Sequence, residues 1–183
     1  MLNLELEPLL QLVEMSTRFE RPWSQERISF ELVQVGWEPV GSVSLPYPQR
    51  LGRSGFLLGA ACDDEPAYVG VTLKEWSVDW DSVDYVRAVT EGYEDQIRAT
   101  RELADRFAAL MGERFSVDRE ELILDADEFF FVHTECWKVS NVHVVLGLEH
   151  LSPDDTPIRV SLYVVDGSAD RPGSLAPDTS RAS

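Results

Sequence analysis

The sequence predicts an α+β domain: an antiparallel sheet of about five strands, with a long helix and N-terminal helices packed on one face. A helical apolar period from about Tyr93 to Met111 and period-two alternation through the last third carry that expectation. With 44% hydrophobic residues in 183, the chain has material for one buried core.

The first helix is expected from Pro8 to about Phe19, because proline fits the first helical turn, where its missing N–H costs nothing. Leu9, Leu12, Val13 and Phe19 would form its apolar side. Ser24 can cap a second helix running to Val35, with Gly36 as its stop before Trp37. The alternation of Ile28, Phe30 and Leu32 leaves a strand as the rival reading there. Residues 39–55 hold three prolines and three glycines and read as a loop. Two strands are expected next, Ser54 to Ala61 and Ala67 to Val78, joined by a turn at Cys62–Pro66, with Trp76 and Trp80 as strand-end aromatics packing on a helix.

The long helix, beginning at Tyr93 or as early as Asp84, would turn Val89, Tyr93, Ile97, Leu103, Phe107, Leu110 and Met111 to the sheet. Glu94–Arg98, Arg98–Glu102, Arg101–Asp105 and Glu102–Arg106 have the spacing of ion pairs on its solvated side. Gly112 would end it. Phe129–Val139, Val142–Leu151 and Pro157–Val165 read as a three-stranded meander, wet on one side, with Val142, Val144, Leu146 and Leu148 inward and His143 and Glu149 outward. Residues 1–166 thus form one domain, and the Gly-, Ser-, Ala-, Pro- and Asp-rich stretch 167–183 reads as a disordered tail.

The chain carries 33 acidic against 16 basic side chains, a net charge of −17. That balance argues against nucleic-acid and anionic-membrane partners, both of which need clustered lysine and arginine. Two cysteines, Cys62 and Cys136, supply neither a disulfide framework nor a cysteine-rich zinc site. The first residues are acidic where a secretory signal needs positive charge, and no uncharged apolar run approaches the length of a membrane span. The expectation is a cytoplasmic protein. Arginine outnumbers lysine 14 to 2 and asparagine occurs twice, a skew that GC-rich coding produces.

Phosphate-loop, dinucleotide-fold, nucleophile-elbow and zincin patterns are missing. Gly52-Arg53-Ser54-Gly55 has the form of an RNA-clamping loop, but so acidic a chain is a poor host for RNA. His133 and Glu135 would share a strand face, with Cys136 on the other, in a spacing used by zinc deaminases, whose P-C-x-x-C element this chain lacks. His133, Glu135 and His143 could hold a divalent metal only if the strands pair in a suitable register; otherwise they are polar residues on a half-exposed face beside a rim tryptophan, Trp137. No catalytic residue and no cofactor is assigned.

Charge position is more informative. Residues 60–91 and 113–135 each carry −6, and both stretches flank the long helix. The first holds Asp63, Asp64, Glu65, Glu75, Asp79, Asp81 and Asp84, interleaved with Trp76 and Trp80. The second holds Asp118, Glu120, Glu121, Asp125, Asp127 and Glu128. Carboxylates beside aromatics suit a surface for a basic protein: charge speeds encounter, and a desolvated ring supplies affinity. The bland alternative is that the acidity serves solubility.

Val35-Gly36-Trp37 after an N-terminal helix, two strands ending in an aromatic-rich loop, the helix end Ala109-Leu110-Met111-Gly112-Glu113-Arg114-Phe115, and Trp137 in a terminal meander form one layout. Over about residues 23–165 it resembles an uncharacterised family of small acidic proteins of high-GC actinobacteria. The resemblance brings no catalytic residues. At the level of fold, the layout is similar to toxin-immunity proteins and type III secretion chaperones. The leading expectation is a non-enzymatic protein-binding module, most concretely an immunity-like inhibitor of a basic toxin. A secretion or assembly chaperone, with homodimerisation open, is the alternative, and a metal-dependent enzyme using His133 and Glu135 comes third.

Overall fold

The computed structural model describes residues 4–41, 50–62, 67–76, 84–120, 131–150 and 157–167. They form three helices, α1 (Glu7–Ser16), α2 (Gln25–Gln34) and α3 (Tyr85–Gly112), with strands β1 (Glu38–Pro39), β2 (Arg50–Arg53), β3 (Phe56–Ala61), β4 (Tyr68–Trp76), β5 (Val117–Glu120), β6 (Phe131–Val139), β7 (Val142–Glu149) and β8 (Ile158–Asp166). The α+β class stands. The strand number does not: the sheet has eight strands rather than about five, in the order β1-β2-β3-β4-β8-β7-β6-β5, every neighbour antiparallel.

The extra strands lie at or near the sheet's edges. β1 and β2 occupy the stretch read as loop, and β5, Val-Asp-Arg-Glu, carries too few apolar residues to show alternation. A two-residue turn joins β2 to β3, with both Ser54 (φ 51°) and Gly55 (φ 83°) left-handed. That is the type I′ geometry that matches strand twist. Ser54 is therefore a turn residue, not the start of the expected strand.

Helix termini follow local chemistry closely. Ser24 caps α2 by accepting from the Arg27 N–H at 3.4 Å. At the other end Gly36, at φ 92°, sends its N–H to the Val33 carbonyl, and Trp37 donates to the Leu32 carbonyl at 3.1 Å. These two bonds make a Schellman motif, whose apolar contact is supplied by the buried Leu32 and Trp37. Pro8 sits in the first turn of α1, as expected, although the helix ends at Ser16 rather than near Phe19. α3 starts at Tyr85, at the early end of the expected range, and closes at Gly112.

One core forms between the helices and the inner face of the sheet. Leu9, Leu12 and Val13 of α1, Ile28 and Leu32 of α2, and Leu103, Phe107 and Met111 of α3 join Val69 and Val71 of β4, the even-numbered residues Val142–Leu148 of β7 and Ile158–Val164 of β8. Trp137 belongs to this core, 4% exposed and edge-on to Phe107, and is not a rim residue. The outer face carries a smaller cluster, Cys136, Val145 and Val165 with Tyr68, Phe131 and Tyr163 against it. The centre of the side expected to be wet is therefore dry. Among the described residues, no helix is long and apolar enough to cross a membrane.

Candidate functional site

Strand register decides which polar side chains can act together. The β6–β7 hairpin turns at Ser140-Asn141 and pairs Val139 with Val142, Trp137 with Val144, Glu135 with Leu146 and His133 with Leu148. His133 and Glu135 therefore project from the helix-packed face, and His143, opposite Lys138, from the other. The three groups named as a weak metal set do not converge. Among the described residues, no three His, Cys, Asp or Glu side chains are placed to hold a metal ion.

His133 and Glu135 do meet. His133 Nε2 lies 3.2 Å from Glu135 Oε1, and Arg119 of β5 donates to Glu135 Oε2. The Glu135 carboxylate is 9% exposed, the Arg119 side chain 70%. Burying a carboxylate is costly unless charge and hydrogen bonds compensate, and Arg119 and His133 do so here, one at each oxygen. Each oxygen thus has one partner. The Arg119–Glu135 contact fastens edge strand β5 to β6. One residue past β7, His150 Nδ1 meets the Tyr93 hydroxyl of α3, a polar contact between the helix and the end of the sheet.

A different constellation occupies the outer face. Register puts Glu75 of β4, Arg159 of β8 and Glu149 of β7 in one cross-strand row. Glu149 is 3% exposed, although its outward position had suggested solvent. Ser161 Oγ donates to Oε1, and the Tyr163 hydroxyl lies 3.0 Å from each carboxylate oxygen. Arg159 Nε stands 3.9 Å away, within ion-pair range but too far for a hydrogen bond. Burial first, and the Glu149 charge second, push the Tyr163 phenol well above the ordinary tyrosine range. Rings cover this network: Tyr163 stands edge-on to both Tyr68 and Phe131, at 5.6 and 5.9 Å. Glycine makes room beneath them. A Cβ at Gly70 would come within 2.9 Å of the Tyr163 ring, and one at Gly147 would collide with Phe131.

Of the acidic residues expected to receive a partner, four fall in described structure. Glu75 is exposed, opposite Arg159 on the outer face. Trp76 is half-buried and packs on the core, so only part of its ring is available. Asp84 is the exposed N-cap position of α3, without a side-chain capping bond. Glu120 is half-buried, its carboxylate 3.3 Å from His143 Nδ1. Asp118 is exposed on β5. Asp63, Asp64, Glu65, Asp79, Trp80, Asp81, Glu121, Asp125, Asp127 and Glu128 lie outside the described residues.

The guanidinium groups are largely spoken for. Arg18, Arg21, Arg27, Arg87, Arg98, Arg114, Arg119 and Arg159 each face a carboxylate of the same chain. Arg21 links Asp166 at 2.7 Å with the Asn141 carbonyl at 2.7 Å, tying the α1–α2 connection to the β6–β7 turn. Arg98 pairs with Asp95 rather than with the expected Glu94, and Arg87 with Glu91. Arg114 binds Glu7 through both carboxylate oxygens and holds its carboxyl below the usual range.

Sequence reasoning missed Arg119, Tyr93, His150, Glu149, Ser161 and Tyr163. For Arg119 the obstacle was that β5 went unrecognised; for Glu149, Ser161 and Tyr163, outward alternation was visible but not the rings that cover them. No protein-family model matches the chain, and no curated protein or solved structure is significantly similar to it.

Proposed function

We propose that the chain is a cytoplasmic, non-enzymatic binding protein for a basic protein, most concretely an immunity-like inhibitor that neutralises a basic toxin. The supporting observation is the disposition of charge. At least eight of the twelve arginines among the described residues face carboxylates of their own chain, and over the whole sequence 33 acidic groups outnumber 16 basic ones. A net charge of −17 on a chain of this size produces a long-range field that attracts cationic surfaces and raises association rates several-fold to a hundredfold or more, roughly, at low salt. Among the described residues, exposed Glu75, Asp84 and Asp118 and the accessible part of Trp76 belong to the two acidic stretches, and β4, which carries Glu75, is separated from β5, which carries Asp118, by β8, β7 and β6. The two buried carboxylates, Glu135 and Glu149, are committed inside the fold.

The test is affinity capture on the immobilised chain from native lysate, at low and at high salt. Recovery of a basic protein at low salt, lost at about 0.5 M where the Debye length falls to a few ångströms, supports the reading. Recovery of a partner indifferent to salt, or of none, refutes it.

A further inference from the structure

A long-range charge raises the rate of encounter, while the energy of a protein interface comes from a few desolvated side chains, aromatic ones above all. Trp76, the tryptophan nearest the exposed carboxylate of β4, packs on the core with only part of its ring available. Phe30 of α2 is 67% exposed, the most exposed of the large hydrophobics of the described structure. Ile28 and Leu32 turn inward from the same helix, which sends Phe30 and Val33, spaced i, i+3, to its solvent side.

Ion pairing selects what can cover this face. The charged residues of α2 are Glu26, Arg27 and Glu31. The Arg27 guanidinium is taken by Glu20 of the α1–α2 connection. Glu26 is exposed and Glu31 half-buried, and neither enters an ion pair among the described residues. Glu26 lies one turn before Phe30 on the same side of the helix, and Glu31 flanks it. Two uncompensated carboxylates therefore border the apolar face, and the one cation of the helix is already neutralised. A second copy set on this face about a twofold axis would bring its own Glu26 and Glu31 to the same place, like charge against like. A cationic partner gains on both counts, from the ring it desolvates and from the carboxylates beside it.

We propose that the Phe30–Val33 face of α2, bordered by Glu26 and Glu31, is the seat of the basic partner, whose own surface offers an apolar socket rimmed by lysine or arginine. This rests on the reading of the chain as a binder of a basic protein and adds the anchor that holds what the charge attracts. Charge elsewhere on the molecule steers the encounter, and Phe30 sets the lifetime of the complex.

Two synthetic cationic peptides separate these contributions. One is helical and amphipathic, built from leucine and lysine; the other has the same number of lysines and no leucine. Both are titrated into the ¹⁵N-labelled chain at about 25 and 500 mM NaCl, between which the Debye length falls from roughly 20 Å to a few ångströms. At low salt the leucine–lysine peptide should move the amides of residues 26–34 most. F30S, altered at an exposed position, should keep the wild-type circular dichroism and melting temperature while binding that peptide at least about tenfold more weakly. The lysine-only peptide should bind more weakly and respond to F30S by less than about twofold. E26Q/E31Q should weaken the leucine–lysine peptide by about two- to fivefold at low salt and have no effect at high salt. Shifts centred outside α2, or an F30S chain that binds the leucine–lysine peptide like wild type, would overturn the proposal and leave the reading of a basic partner standing. Movement of the same amides on dilution of the chain alone would assign the face to a second copy and overturn it as well. If neither peptide binds at low salt, the proposal and the reading beneath it fall together.

Discussion

Replacing Tyr163 with phenylalanine removes one oxygen from the outer face and leaves the ring. The phenol donates to Glu149, whose carboxylate is 3% exposed and depends on Tyr163 and Ser161 for its hydrogen bonds, with Arg159 3.9 Å away. The edge contacts to Tyr68 and Phe131 survive in the variant because they need only the ring. The loss is therefore one hydrogen bond to a buried charge, about 1.5–3 kcal/mol at neutral pH. The phenol's raised pKa adds a signed pH dependence. In the unfolded chain Tyr163 ionises near pH 10, whereas in the folded chain burial and Glu149 keep it protonated. Above about pH 10 the unfolded state thus holds fewer protons than the native state, and wild-type stability falls by up to about 1.4 kcal/mol per pH unit from this group. Phenylalanine has nothing to ionise. The gap between wild type and Y163F, full at pH 7 to 9, should close as pH rises above 10. Urea unfolding followed by tryptophan fluorescence at pH 7, 9, 10.5 and 11 measures it. A gap below about 0.5 kcal/mol at pH 7, or one that stays constant to pH 11, would refute the account of Glu149.

Two further perturbations probe separate contacts. Gly147→Ala places a methyl group in the Phe131 ring and should cost about 1–3 kcal/mol in chemical denaturation; the same change in an F131A background should cost much less, since the collision partner is gone. Glu7, its carboxyl held below the usual range by Arg114, contributes stability that is present above the ordinary carboxylate pKa and lost as pH falls through its folded value. Glu7→Gln should accordingly lower the melting temperature slightly at pH 7, the difference shrinking as pH falls below the ordinary carboxylate range.

What could be read without coordinates divides along a physical line. Helix ends are local, and Ser24, Gly36 and Pro8 announce them through bonds made within a few residues. The central strands β4, β7 and β8 announce themselves because burial on the inner face imposes alternation. β1, β2 and β5 lie toward the margins, are two to four residues long, and bury too little to leave a pattern. The chemistry was less legible than the fold because it depends on register. Whether His143 joins His133 and Glu135 turns on one residue in the Ser140-Asn141 hairpin, a choice that the pairing of Val139 with Val142 makes and no composition records. Exposure of Phe30 was within reach: once the segment is a helix with Ile28 and Leu32 inside, Phe30 must point outward.

A protein this acidic will attract cations whether or not it has a binding surface, so salt dependence alone does not locate one. Neutralising single carboxylates does. Glu75 and Glu102 are both exposed, the first on β4 beside Trp76, the second on α3. Either change removes one of 17 net charges, an equal and small fraction of the long-range field. A partner held by that field alone should respond to E75Q and E102Q alike, by less than about twofold and chiefly in association rate. A partner seated beside Glu75 loses a directed contact as well, and its dissociation should accelerate by about tenfold with E75Q while E102Q leaves it unchanged. Equal responses, measured by surface plasmon resonance on the captured basic partner, would remove Glu75 from the interface and leave the charge as a general attractor.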